Sequence, residues 1–295
     1  MDQYFLSRVI AYADLHGFSD APTSLGFGGL SLVRAYRPSE LMNTLYVPLL
    51  CFVLQGQKET RFGTRTVRFA AGDTLIVSIN MPTVSQVTVA SSEKPFVSLA
   101  IEIDLDIIRS LQVELELTGA DTTREATIAA GACSDALAQA IQRLFDLLER
   151  PVAEKNIMAP LLLREIHFRM LLEGHSGMLR QLARPDSHES RINRAILKLQ
   201  NDFSEPISVE DLAGLAGMST SGFHQHFKAI TAKTPLQYLK DMRLLIAQQR
   251  ILSSVEPVSL IGYQVGYESA AHFSRDYDRK FGYPPSKTRD LVRAG

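Results

Sequence analysis

The sequence predicts an α+β protein in two parts: a β-sandwich or small barrel with a helical hairpin, then an all-α domain. Three observations predict it. Between Leu30 and Ile103 the text breaks into short runs rich in β-branched and aromatic residues, punctuated by Gly, Pro or Asn. After Ile103 the apolar period becomes helical. Between Ser208 and Pro285 one pattern occurs twice, SVEDLAGLAGMSTSGFHQHFK and then VSLIGYQVGYESAAHFSRDYDRKF, each a helix, a tight turn and a second helix.

The chain has 295 residues, which suits one large or two medium domains, and 45% of them are hydrophobic, enough for a sizeable core. Net charge is −1 and unevenly spread. From Ser187 on there are 14 Lys and Arg against 11 Asp and Glu, and before it 17 against 21. Two cysteines, Cys51 and Cys133, give neither a disulfide framework nor zinc spacing. The opening MDQYFLSRVIAYADLHG mixes charge with apolar residues, so no secretory signal is read. No run approaches the ~20 apolar residues that span a bilayer. A cytoplasmic protein with no membrane partner is expected.

In chain order, residues 2–16 form a short helix with Phe5, Val9 and Tyr12 on one face, ended by a loop holding Gly17, Pro22, Gly26, Gly28 and Gly29. LSLVRAY, YVPLLCFVLQG, QKETRFG, RTVRFAAGD, TLIVSI, TVSQVTVA and PFVSLAIEI then give about seven strands, a barrel over about residues 28–103. AAGDTLIVSINMP resembles a cupin-like jelly roll, in which Gly72-Asp73 turns the chain between strands. Metal cupins pair His with a carboxylate, yet no His lies between His16 and His167. Oxygen ligands alone are a poor site for those metals, so no metal, no cofactor and no enzyme activity are expected. A cavity for a small molecule remains. Its candidate lining is Arg34, Tyr36, Cys51, Gln55 and Gln86, polar or reactive groups on strands whose faces the pattern leaves unassigned. Cys51 reads either as a small buried hydrophobe or as a thiol sensor. Cys133 lies near a helix start, whose dipole favours a thiolate, and has the same bland alternative.

The region of about residues 104–184 reads as helical. DLDIIRSLQVELEL has an acidic first turn, TGADTTREATIAAGA reads as loop, and Ser134–Leu148 and Met158–Leu172 form a helical hairpin. Its seams, Leu137, Ile141, Leu144 and Leu148 against Leu161, Ile166 and Met170, suit either a dimer interface or packing on the barrel. His167 reads as a satisfied structural histidine. Residues 174–189 carry Gly, Pro, Ser and charge, and a boundary is placed near Pro185–Glu189, with a first domain over 1–185 and a second over 189–292.

That second domain opens with the helix SRINRAILKLQNDF, ended at Glu205-Pro206. Its repeated units span about residues 208–230 and 258–281. Ala213, Gly217 and Met218 fall on Gly262, Gly266 and Tyr267. After one extra residue in the second turn, Phe223 and Phe227 fall on Phe273 and Tyr277. Ser208 followed by Asp211 reads as an N-cap with an acidic N3 residue, and Gly217 supplies the left-handed residue that ends the helix. Phe223, Phe227 and Ile230 point inward, as do Phe273, Tyr277 and Phe281. The outward faces carry Ser221, His224, Gln225 and Lys228, then Ala271, His272, Arg275 and Arg279. A repeated helix-turn-helix points to double-stranded DNA, read by the second helix of each unit. Thr234-Pro235 opens a helix of about eighteen residues between the units, a rod of roughly 27 Å against the ~34 Å turn of B-DNA.

The linker helix PLQYLKDMRLLIAQQRIL, the turn VGYESAAHFSRDYDRKFG and the closing YPPSKTR resemble the AraC/XylS family of bacterial transcription regulators, closely over about the last hundred residues. YVPLLCFVLQGQKETRFGTRTVRFAAGD resembles the N-terminal domain of one branch of that family. The resemblance implies a sequence-specific regulator, a small-molecule effector in the barrel, a homodimer formed through the hairpin, and RNA polymerase as partner if the protein is an activator. It places DNA contacts at the eight outward positions without carrying over what they read. From the chemistry alone, Gln225 suits adenine and Arg275 suits guanine, whereas Lys228 and Arg279 suit phosphates. The reading from another class is a metal-free cupin-like enzyme or ligand-binding protein tethered to DNA.

Overall fold

Antiparallel pairing organises the N-terminal half. In the computed structural model, residues 3–18, 22–115 and 126–290 are described. Two units separate at Arg191, except that Asn43–Leu45 group with the second. The first contains α1 (Gln3–Leu15), β1 (Thr23–Ser24), β2 (Leu30–Ala35), β3 (Met42–Tyr46), β4 (Leu49–Gln55), β5 (Gln57–Phe62), β6 (Arg65–Ala70), β7 (Asp73–Val77), β8 (Met81–Val89), β9 (Phe96–Glu102), α2 (Leu105–Glu114), β10 (Ile128–Ala132), α3 (Asp135–Asp146), α4 (Val152–Leu172) and α5 (Gly177–Ala183). One sheet runs β1-β2-β9-β4-β7-β10, the other β3-β8-β5-β6. The α+β class read from the sequence holds.

The six-stranded sheet is covered on one face by helices. Leu30, Leu32, Leu50, Phe52, Leu54, Ile76, Val97, Leu99 and Ile101 share a core with Phe5 and Val9 of α1 and with Leu137, Ile141 and Leu144 of α3. The period-two spacing along β2, β4 and β9 puts these residues on one side. Each fully buried side chain of this size contributes about 1.5–3 kcal/mol relative to exposure. The α3 seam is therefore spent on the barrel, the second of the two uses open to it. Ile166 and Met170 of α4 are buried in the same core, and Leu161 is exposed. Tyr12 packs edge-on against Phe145 with ring centroids 5.4 Å apart.

Three local readings change. The stretch read as loop before Ser134 contains β10, paired with β7 from Ile128↔Val77 to Ala132↔Asp73; residues 116–125 lie outside the described residues. Ile-Ala-Ala-Gly-Ala lacks the β-branched density that marks a strand, and an existing sheet edge supplies the order. Helix α4 begins at Val152, six residues before the expected Met158, with Pro160 inside it. The Gly- and Ser-bearing stretch after Leu172 holds α5, which buries Met178, Leu179 and Leu182. His167 is buried and satisfied: the Asp104 N–H donates to its Nε2 at 2.8 Å, and its Nδ1–H donates to the Leu163 carbonyl at 2.7 Å. Burial lowers its pKa and keeps the ring neutral.

The second unit is all helical: α6 (His188–Asn201, its first turn lying before Arg191), α7 (Val209–Leu215), α8 (Thr220–Thr231), α9 (Pro235–Ser253), α10 (Val258–Gln264) and α11 (Ala270–Phe281). The repeat seen in the sequence is a repeat of caps. Ser208, Ser219 and Ser269 accept from the N3 backbone N–H of the helices they open. Thr234 and Gln237 complete a capping box at α9. Both reading helices end on a left-handed residue, Ala232 and Gly282. Phe223, Phe227, Phe273 and Tyr277 are fully buried, whereas Leu215 of α7 is exposed.

Each helix-turn-helix is held by an arginine from the helix before it. Arg191 of α6 donates to the Ala216 carbonyl at 2.6 Å and to that of Gly217. Arg243 of α9 donates to the carbonyls of Phe203, Gly266 and Glu205 at 2.6, 2.9 and 3.0 Å. The closing YPPSKTR fastens the end: Tyr277 and Thr288 share a buried hydroxyl contact of 2.8 Å, and Arg289 donates to the carbonyls of Ile251 and Glu256.

Candidate nucleic-acid interface

The inward ring positions of α8 and α11 dictate what points out. With Phe223, Phe227, Phe273 and Tyr277 in the core, the 3.6-residue period leaves Ser221, His224, Gln225 and Lys228 on one face, and Ala271, His272, Arg275 and Arg279 on the other helix. All eight are exposed. Helix α8 carries no Asp or Glu, whereas α11 carries Asp276 and Asp278.

Two of the eight, His272 and Arg279, reach a buried carboxylate within the protein, and Ser221 Oγ lies 3.4 Å from Ser219 Oγ. Asp276 is 4% exposed and collects Lys240 Nζ of α9 at 2.6 Å, His272 Nε2 at 3.3 Å and Arg279 at 3.8 Å. The Tyr267 hydroxyl donates to the same carboxylate at 3.4 Å. Arg275 forms no ion pair among the described residues. A second carboxylate, Asp241 of α9, is reached by Lys233 at the end of the first unit and by Lys280 of α11 at 2.9 Å. Burial raises the Asp241 carboxyl, and the two ammonium groups outweigh it, so it stands below the usual carboxylate range. Asp276, Lys240 and Asp241 were not singled out in the sequence. Their signal was an acid inside an otherwise basic outward face, FSRDYDRK, and a Lys-Asp pair on the linker helix.

In the barrel the five candidate lining residues part company. Arg34 is buried, but it shares the face of Leu30 and Leu32 and so points to α1. There it donates to the Asp14 carboxylate and the Phe18 carbonyl. Tyr36 lies against its guanidinium, 4.9 Å from ring centre to Cζ. Gln86 alternates with the buried Ser85 and Val87, and donates to the Ser39 carbonyl at 2.9 Å. Gln55 donates to the Pro95 carbonyl at 2.8 Å, next to an irregularity in the β4–β9 register. Cys51 alone faces the other sheet. Burial raises its thiol pKa, and nearby Lys58 works against that. Cys133 is no thiolate either: burial, Glu173 and Asp135 push it up to about 12, overriding the dipole of α3.

The inner polar groups are ones the sequence reading passed over. Tyr46, Thr60 and Ser85 form a ring of hydroxyls at 3.1 to 3.2 Å. Lys58 sits two residues before Thr60 on the same face of β5, its Nζ 5.6 Å from the Tyr46 ring centre. Burial works to lower its pKa, and the neighbouring Tyr46 and Cys51, with a hydrogen bond to the Tyr46 hydroxyl, leave it raised above the ordinary lysine value. Lys58 forms no ion pair among the described residues. On the facing sheet, the buried Ser98 hydroxyl lies against the Cys51 thiol, and this contact works against the rise of the thiol pKa. The face was legible only through Phe62, which closes the series Lys58, Thr60, Phe62.

Residues 27–178, just over half the chain, match the family model of the AraC-type transcriptional regulator N-terminus. The chain belongs to the AraC/XylS family. A helix-turn-helix domain model matches residues 212–290. Among AraC-family relatives, the transcriptional activator RhaS of Escherichia fergusonii is 30% identical over 138 residues, 47% of this chain and 46% of its own length. The RCS-specific activator RclR of Escherichia coli is 40% identical over 86 residues, 29% of this chain and 30% of its own. The chain spans about half the length of the first curated relatives it matches, or less. ToxT of Vibrio cholerae shares the fold, with 14% identity, a TM-score of 0.58, and coverage of 89% of this chain and 97% of that one. ToxT has also been solved with an unsaturated fatty acid bound, at 12% identity and a TM-score of 0.57, over 88% of this chain and 92% of that one. No helix among the described residues is long and apolar enough to cross a membrane.

Proposed function

We propose that this chain is a sequence-specific transcription activator that reads two successive stretches of duplex DNA under control of a small molecule in the barrel. The observation that carries the reading is the paired presentation of α8 and α11, two capped helices with four exposed side chains each, on either side of α9. The 19 residues of α9 make a rod of about 28 Å, which suits heads about one helical turn apart, ~34 Å in B-DNA. Gln225 reads adenine and Arg275 guanine; His224 and His272 donate to a base or phosphate. Lys228 and Arg279 hold phosphates, and Ser221 and Ala271 allow close approach. The protein works in the cytoplasm, on the nucleoid when DNA-bound. It acts as a homodimer, supported by Ile157, Leu161 and Leu172 left exposed on α4, and recruits RNA polymerase.

Selection from a genomic DNA library tests the reading. A motif of two short blocks one turn apart is expected. Arg275→Ala and Gln225→Ala each cost about 1–3 kcal/mol and relax one block only. Equal binding to every sequence would remove the reading role.

For the effector, Lys58 favours a molecule with an acidic group, as the fatty acid is in ToxT. The Lys58 ammonium has no carboxylate beside it among the described residues, so an acidic group on a ligand would be its counterion. Lys58→Met is expected to leave the unliganded chain folded, read from its thermal melt. It should abolish any rise in melting temperature that aliphatic carboxylates produce in the wild type. A carboxylate-induced rise that survives in Lys58→Met would remove Lys58 from the effector site.

A further inference from the structure

The two reading helices differ in one respect that their shared geometry does not require. Position 226 of α8, equivalent by the repeat to position 276 of α11, holds His where α11 holds Asp. Asp276 is buried beneath the outward face and ties together a residue from each side of it: Lys240 of the linker helix, and His272 and Arg279 of the face itself. Resting on the proposed DNA reading, we infer that Asp276 sets the discrimination of the second head. It cancels charge that would bind any phosphate backbone, and it fixes His272 and Arg279 before DNA arrives.

The physical argument is one of balance. Lys240, His272, Arg275 and Arg279 together would form a cluster drawn to every duplex, since backbone attraction is independent of sequence. A buried carboxylate in their midst removes one positive charge from that attraction and leaves Arg275 to read base edges. Contacts at 3.3 and 3.8 Å hold the two face residues more loosely than the 2.6 Å contact holds Lys240. A correctly placed phosphate can thus take Arg279 over, and an ill-placed one gains less from doing so. Both heads read bases, and the second, with an acid on its helix where the first has none, discriminates the more sharply.

The full chain serves for the test, with the duplex recovered by selection and a scrambled duplex of equal length. Asp276→Asn keeps the shape and an acceptor for Lys240 and Tyr267, and removes the charge. Scrambled-duplex affinity is expected to rise about five- to tenfold, with the salt slope steeper by about one unit. Base preference should weaken in the block bound by α11 and not in the other. Lys240→Met exposes the uncancelled carboxylate and should move scrambled-duplex affinity in the opposite direction. A merely structural Asp276 would make both variants bind both duplexes more weakly at an unchanged slope, which overturns the inference. So would a specific wild type whose selectivity and slope survive Asp276→Asn, the DNA reading then standing alone. A wild type that binds neither duplex overturns both.

Discussion

Gly266→Ala is expected to destabilise the C-terminal unit by about 3 kcal/mol or more, through strain and overlap together. Gly266 has φ +89°, and a Cβ there would lie 2.6 Å from the Ser204 carbonyl oxygen and 2.8 Å from Arg243 Cζ. Neither neighbour is a free chain end: one is backbone, the other a guanidinium already holding three carbonyls. Gly282→Ala is the control. Its φ is +81°, but nothing lies within 4 Å of the added Cβ, so only the left-handed penalty of about 1 kcal/mol applies. At roughly 4–8 °C per kcal/mol for a unit of this size, thermal melts of the full chain separate the two easily. Equal losses would show that overlap at Gly266 is relieved by small shifts.

Arg243→Met is expected to cost about 3 kcal/mol. Hydrogen bonds from a charged donor contribute about 1.5–3 kcal/mol each, discounted here because the guanidinium is only half-buried. Three carbonyls lose their partner at once, those of Phe203, Glu205 and Gly266. Arg243→Lys should rescue little, since a single ammonium cannot span three acceptors served by a planar fork. Arg191→Met, at the turn of the first unit, removes two such bonds and should cost less. The two turns share no partner, so the losses should add within about 0.5 kcal/mol. Denaturant titration of the single and double variants measures this. Full rescue by Lys would show that charge alone holds the turn.

The helical half was legible because its signals are local. Ser208, Ser219 and Ser269 announce helix starts, Gly217, Gly266 and Gly282 announce ends, and the Phe223 and Phe227 spacing fixes the outward face. What could not be read there was long-range. Asp276 looks like any surface acid until Lys240 folds against it, 36 positions away in sequence. In the barrel the faces of polar strands were not legible. In QKETRF only Phe62 marks the inner side, so a single residue at the strand end separates Lys58 and Thr60 from Glu59 and Arg61. Arg34 looked like a cavity residue because Asp14, its partner, is 20 residues upstream. β10 escaped because Ala and Gly carry no strand signal of their own.

The twin arginine clamps also define what a transplantable part of this protein is. A helix-turn-helix cut out alone, at residues 208–230 or 258–281, would leave behind the guanidinium that ties its turn. The portable piece is three helices long, α6 to α8 or α9 to α11. A chimera that exchanges reading heads between relatives should be spliced ahead of Arg191 or ahead of Arg243. Because Asp241 of the second piece also grips Lys233 at the end of the first, an exchange of either piece needs a cation at position 233 for the two to seat together.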